Sequence, residues 1–228
     1  MSDQLRQVLM VHPLGRRILD QYRCLKFRVK LARQPQKRIE VGASGRFEHG
    51  WLPTNKDFLN LLKPKDWARL FPPASLDAIL AEHVWEHLTE QEGLIAARIC
   101  FKYLKPGGYL RVAVPDGLHP DPEYIEWVRV GGVGTANRDH KVLYTYQSLK
   151  ALFEGAGFRV VLYEYFDETG VFHYEEWDPR EGKIQRSKRF DRRNQSGKLN
   201  YTSIVLDAKK EKGNSPAAVA TSLDSTFL

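Results

Sequence analysis

The sequence predicts an α/β fold built on a Rossmann-like, mostly parallel sheet with helices on both faces, and three observations carry that prediction. The first is the segment 75–117, SLDAILAEHVWEHLTEQEGLIAARICFKYLKPGGYLRVAVPDG, which reads strand, acidic turn, helix, tight turn, strand. Two buried strands flanking a helix imply parallel pairing. The second is the turn IEVGASG, residues 39–45, at the end of an earlier strand. In open α/β sheets ligands bind in the crevice beyond such strand ends. The third is a pair of late β-rich runs, 158–166 and 201–208, separated by a basic insertion.

Taken in order, residues 3–34 read as one or two amphipathic helices, with a break expected at Pro13 to Gly15 and apolar positions from Leu5 to Leu31 at helical spacing. They are expected to brace or cover the sheet. Residues 38–42 form the first central strand, 51–55 a second, and 58–62 a further short extended piece. Pro64 suits the first turn of a helix, where its missing N–H costs nothing. The apolar run 76–80 is a strand, and Thr89-x-x-Glu92 starts a helix with a capping box. Lys105-Pro-Gly-Gly108 ends that helix and 109–114 returns to strand. A Gly- and Pro-punctuated connection, 120–145, leads to a helix over 146–154 that closes at Gly155-Ala-Gly157.

The chain of 228 residues, 42% hydrophobic, is long enough for one well-buried domain with extensions. The expected division is a helical extension over 1–37, a domain over 38–208 and a mobile tail over 209–228. No apolar run approaches the length of a spanning helix and the N-terminal VLMVHPLG is too short for a secretion signal, so a cytoplasmic protein without membrane contact is expected. Cys24 and Cys100 are too few for a disulfide framework. No His, Cys or Asp cluster has ligand spacing, so no metal is expected. The net charge of +7 concentrates in the N-terminal segment and in 180–198. Such patches attract phosphate-bearing partners, but no platform of stacking aromatics accompanies them, and solvated surface is the favoured reading.

Segment 75–117 resembles the central part of class I S-adenosylmethionine-dependent methyltransferases, and AEHVWEHL, residues 81–88, carries the resemblance most strongly. The turn 39–45 is similar to the first motif of that family, acidic-x-Gly-x-Gly-x-Gly, with Glu40 and Gly42 in register. Ser44 stands in place of the second glycine and Gly45 is displaced by one. GRFEHGW then leaves too few residues for a long crossover helix, which argues against a nicotinamide-binding unit. It resembles instead a subset of the family with an abbreviated link followed by Gly-Trp, here Gly50-Trp51. The family's acidic residue after the second strand is replaced by Asn55, with Asp57 nearby.

The resemblance implies a seven-stranded-type sheet whose last strand runs antiparallel between its neighbours, and S-adenosylmethionine as methyl donor. It also implies donor contacts from Glu40, Gly42, Ala43, Ser44, Gly45, Asn55, Asp57, Asp66, Trp67, Glu82 and His83. Asp66 equally suits a helix first turn and Trp67 a core position; Glu86 and His87 are read as starting the next helix. Methyl transfer requires in-line positioning, with a base only where the acceptor is protonated. His140 is the preferred base because imidazole exchanges protons near neutral pH, with a surface-loop role as its alternative. Asp116 either orients the acceptor or closes a Pro-Asp-Gly turn.

The expected acceptor is a small molecule, methylated at oxygen or nitrogen. A nucleic-acid acceptor held by the basic segments, and a scaffold protein that has lost donor binding at Ser44 and Asn55, are the alternatives. Oligomeric state is not legible.

Overall fold

The structure is a computed structural model and describes residues 13–43, 49–134, 138–195 and 197–213. The apolar runs become seven strands: β1 (Arg38–Glu40), β2 (Leu52–Pro53), β3 (Leu76–Glu82), β4 (Leu104–Pro115), β5 (Arg159–Phe166), β6 (Phe172–Tyr174) and β7 (Ser203–Lys209). They form one sheet in the order β2-β1-β3-β4-β7-β5-β6. β2, β1, β3 and β4 pair in parallel, whereas β7 is antiparallel to both β4 and β5, as expected. β6 was not expected. It folds back on β5 through a turn at Asp167–Gly170, where Gly170 has φ +78°.

Among the described residues five α-helices accompany the sheet: α1 (Pro13–Ala32), α2 (Pro64–Leu70), α3 (Glu90–Tyr103), α4 (Pro122–Val128) and α5 (Tyr146–Gly155). Pro64 occupies the first turn of α2, and Thr89 with Glu92 forms the full capping box of α3. Residues 58–62 are turn rather than strand, because Asn55 draws the Phe58 and Leu59 amides onto its carbonyl oxygen. Among the described residues the helix opens at Pro13 and runs on through Gly15, since proline at a helix start removes no bond, while the residues before Pro13, on which the expected break turns, lie outside those described. Residues 1–12 and the tail beyond 213 lie outside the described residues.

Strand alternation sorts the strand side chains onto two faces. Ile39, Ile79, Ala81, Leu110, Val112, Val114, Ile204 and Leu206 join the larger core cluster with residues of α1, α2, α3 and α5. Trp67 is fully buried there, 5.3 Å from the Tyr103 ring, and Phe27 of α1 packs edge-on to Phe58. α1 thus contributes Cys24, Phe27 and Leu31 to the core while Ile18, Tyr22, Leu25 and Val29 face outward. Its apolar positions serve two sides.

On the opposite face Ala78, Leu80, Ala113 and Val205 meet Trp51, Trp177 and Ile184. No crossover helix separates β1 from β2 among the described residues, and segment 175–191 lies over this face in its place with only a single helical turn, Pro179–Glu181. Among the described residues four of the helices pack in the larger cluster, α4 packs apart from it against Tyr201 and Leu143, and segment 175–191 covers the second face. Gly182, at φ +113°, lets the segment lie flush: an added Cβ would come within 3.1 Å of Trp51 and 3.3 Å of Leu80.

Buried strand side chains hold this cover by its backbone. Arg111 makes a two-pronged bond to Asp207 at 2.7 and 3.0 Å, and its third nitrogen donates to the Asp178 and Gly182 carbonyls. Glu164 accepts from the Trp177 indole at 3.0 Å and the Lys188 amide at 2.7 Å. Burial raises the Glu164 carboxyl against these bonds, which favour its charged form. Tyr109 donates to the Glu181 carbonyl.

Candidate functional site

The turn after β1 is stitched from both sides. Val41 donates to the Leu80 carbonyl, Ala43 to Thr54, and the Thr54 amide and hydroxyl both donate to the Glu40 carbonyl, at 2.7 and 3.0 Å. Gly42 has φ +68°, and a Cβ there would stand 2.6 Å from Val84 Cγ2. Two constraints therefore demand glycine: the left-handed backbone and the close approach of Val84. Next to it, at the end of β3, Glu82 takes the Gln185 amide on one oxygen at 3.0 Å and the Arg186 amide on the other at 2.8 Å. Its carboxylate so fixes the insertion against the strand ends.

Between these walls lies a cavity of about 640 Å³, lined by Glu40, Gly42 and Glu82 on the sheet side and by Lys183, Gln185, Arg186, Phe190, Asp191, Arg192 and Arg193 on the other. That volume lies within the range of small-ligand and cofactor sites. Carboxylates on one wall and guanidinium and ammonium groups on the other suit a zwitterionic ligand, such as the amino-acid end of S-adenosylmethionine. The residues present fit that donor.

Arg193 is held in place by Asp191 at 2.6 Å and by the Tyr201 ring 3.4 Å away, and Lys183 lies 4.6 Å from the Phe190 ring. The wall is organised rather than a loose charged loop.

His83 follows Glu82 with φ +55°, a left-handed conformation that a residue with a side chain adopts at a cost of order 1–3 kcal/mol. It is held by its own amide on the Ala113 carbonyl and by Nε2 3.0 Å from Ser203 Oγ, while Nδ1 stands 3.1 Å from Glu86 Oε1. The next residues form the single turn Trp85–His87. Glu86 is 1% exposed and His140 9%, and together with His87 they bring one ligating atom each to within 4.8 Å of one another.

The structure gathers only part of the expected site. Glu40, Gly42 and Glu82 line the cavity and Ala43 and His83 adjoin them in the chain, while Ser44 and Gly45 lie outside the described residues. Asn55 caps its own turn, its side-chain oxygen 3.2 Å from the Phe58 amide, and Asp57 is exposed. Asp66 accepts the Asn60 amide, and Trp67 belongs to the apolar core with its indole N–H on the Asn60 carbonyl.

Asp116 is fully buried and takes the Leu118 and Phe166 amides at 3.0 and 2.7 Å, so it braces the strand exits. Burial, outweighing those two bonds, pushes its carboxyl up to about 6. His140 holds the Val128 carbonyl through Nδ1 at 2.8 Å and is not part of the cavity lining. The sequence allows the basic insertion, with Trp177 and Phe190, to fold over the pocket and clamp an anionic acceptor, but a surface hairpin is the reading it favours, because nothing local says that residues 183–193 turn inward.

A family profile described as a methyltransferase domain matches residues 23–163. Comparison with curated proteins yields no match. Among solved structures the chain is similar to an S-adenosylmethionine-dependent methyltransferase from Thermotoga maritima, at 16% identity over 76% of this chain and 73% of that one, with a TM-score of 0.46. It is also similar to one from Archaeoglobus fulgidus, at 14% identity over 82% and 94% of the two chains, with a TM-score of 0.43. A third similarity is to an O-methyltransferase family protein from Burkholderia thailandensis, at 12% identity over 72% and 37%, with a TM-score of 0.42. No helix among the described residues is long and apolar enough to cross a membrane.

Proposed function

The chain belongs to the methyltransferase-domain family, an S-adenosylmethionine-dependent enzyme family, and from that premise we propose that it methylates an oxygen or nitrogen of a small, anionic acceptor in the cavity between residues 40–42, Glu82 and segment 183–193. The observation that carries this reading is the cavity's two-sided charge, carboxylates on the sheet wall against four cationic side chains on the insertion. When bound, S-adenosylmethionine would supply an activated methyl carbon to the acceptor lone pair, with S-adenosylhomocysteine as the leaving group and any acceptor proton passing to water.

The chain's own residues bind and position. Glu40 receives the donor's ammonium group, and the tight turn at Gly42 lets the backbone approach it closely. Glu82, whose oxygens are fixed by two amides, borders the reacting end. Lys183, Arg186 and Arg192 orient the acceptor's anionic group and, with Phe190, limit access of water. Positioning supplies most of the rate, and Asp116 acts by holding the strand exits in register. The inward placement of 183–193 favours a small acceptor over a nucleic acid, because these cations line a cavity rather than an outer stripe.

Calorimetric titration with S-adenosylmethionine, S-adenosylhomocysteine and, as control, NAD tests this reading. Saturable binding of the first two, lost in Glu40→Ala, is expected. Folded protein that binds neither would overturn the enzyme reading in favour of a scaffold.

A further inference from the structure

We propose that Glu86, His87 and His140 form a binding site for one divalent transition-metal ion, of which zinc is the best match. His140 stands more than fifty residues beyond the other two, so spacing along the chain hides the set. The fold brings it together: the Lys141 and Val142 amides donate to the Glu86 carbonyl at 2.7 and 3.3 Å, fastening the loop that carries His140 to the turn Trp85–His87. One ligating atom from each residue then lies within 4.8 Å of the others.

Two further observations point to a ligand. Glu86 is 1% exposed, yet neither of its carboxylate oxygens has a hydrogen-bond partner; His83 Nδ1 comes to 3.1 Å of one without the alignment of a bond. An ionised carboxylate left so in the interior is costly, and a bound cation removes that cost. The second observation is the tautomer of His140. Its Nδ1 lies 2.8 Å from the Val128 carbonyl, which can only accept, so Nδ1 carries the proton and Nε2 keeps its lone pair. Fixing one ring nitrogen on a carbonyl so that the other can ligate is the usual support of a metal-bound histidine.

His87 meets the His140 ring edge-on at 4.9 Å, and Asp139 Oδ1 stands 3.1 Å from His87 Nδ1. The neighbouring cation Lys141 is engaged by Glu92 at 2.9 Å.

Two imidazoles and a carboxylate suit zinc better than magnesium, which prefers oxygen ligands. Metal–ligand distances of about 2.0–2.2 Å require the three atoms to close by roughly 1 Å, within reach of small side-chain rotations. Three protein ligands leave a position open for water. His140 Nε2 would then hold a cation rather than shuttle a proton.

None of the three residues lines the donor cavity, so this site can be tested without donor or activity. Untagged protein is stripped with a chelator and titrated with Zn²⁺ by calorimetry and with Co²⁺ by visible absorption, Mg²⁺ serving as control. We expect one equivalent of zinc, a cobalt ligand-field band and no comparable magnesium uptake. Glu86→Gln and His140→Ala should each weaken zinc binding beyond the roughly 10–100-fold that loss of an outer partner costs. The half-buried His87→Ala guards against misfolding of the other two, with circular dichroism checking each variant. Folded wild type that takes up no zinc, or variants that all bind as wild type does, would overturn the proposal and leave a simple Glu–His contact.

Discussion

The two faces of the sheet are built on opposite principles. The first is apolar and covered by four helices, with side chains such as Leu110 and Phe153 excluding water by packing alone. The second buries Arg111, Asp207 and Glu164, and its cover is a segment with almost no regular structure, held by strand side chains bonded to its backbone. A helix satisfies its own backbone and needs only an apolar stripe to dock, whereas an irregular segment must find partners for its peptide groups. Hence the polar side chains on the second face. That face also runs into the cavity, so stability and ligand binding are coupled there and separate on the helical side.

The largest expected effect breaks the second face. Arg111→Ala strands the buried Asp207 carboxylate and releases the Asp178 and Gly182 carbonyls, and should cost about 3–5 kcal/mol in denaturant unfolding. Donor affinity should fall with it, since the backbone leading into segment 183–193 loses one of its anchors. Replacing both partners together, Arg111→Met with Asp207→Leu, should recover much of the stability but not the affinity. Equal recovery of both would show that the buried pair does not position the cavity wall.

On the helical face Trp67→Ala should cost about 3–5 kcal/mol, toward the lower end where the neighbouring Phe71 and Tyr103 can relax into the space. Protein that remains folded should bind the donor as the wild type does. Loss of donor affinity there would restore Trp67 to the adenine site that the family resemblance implies.

This contrast also explains what was legible in the sequence. The helical face announces itself locally: Thr89-x-x-Glu92, Pro64 and the apolar runs at 76–80 and 109–114 each state their conformation in a few residues, whereas the antiparallel last strand was implied only by the family resemblance. The second face depends on contacts between residues far apart, such as Glu82 with Arg186 and Arg111 with Asp178, for which no periodicity exists. So the basic insertion read as surface. Glu40, Gly42 and Glu82 were legible because they lie at strand ends, where the fold class itself places ligands. Trp67 and Asp66 were expected at the donor by their position, yet short-range packing and an amide bond occupy them.

Asp116 sits at the junction of the two regions and gives the comparison a pH signature. Its carboxyl is raised by burial to about 6 from 3.8, so the folded state binds a proton more tightly than the unfolded chain. Its stabilising share is present in full below about pH 4 and is lost as pH rises through about 6. Two pKa units set an upper limit of ~3 kcal/mol, reduced by whatever water reaches the group. Unfolding measured between pH 4 and 7 should show wild type losing stability relative to Asp116→Asn. Parallel curves would mean that the two amide bonds hold the carboxyl ionised throughout.

The smallest effect sharpens the same contrast from the helical side. Thr89 caps α3, its side-chain oxygen 3.2 Å from the Glu92 amide while the Glu92 carboxylate takes the Thr89 amide at 2.9 Å. Thr89→Ala should cost about 1 kcal/mol, because water reaches this exposed helix end and compensates part of the lost bond. That reciprocal amide bond, with Lys141 beside it, holds the Glu92 carboxyl down at about 2, so its contribution is present above the ordinary carboxylate range and vanishes only in strong acid. The Thr89→Ala penalty should accordingly be constant from pH 5 to 8. Lys141 also follows His140 in the loop fastened to Glu86, so a cap that matters only to α3 should leave zinc and donor affinities unchanged. A fall in zinc affinity would instead tie the helix start to the histidine cluster and make that corner of the helical face part of the functional surface.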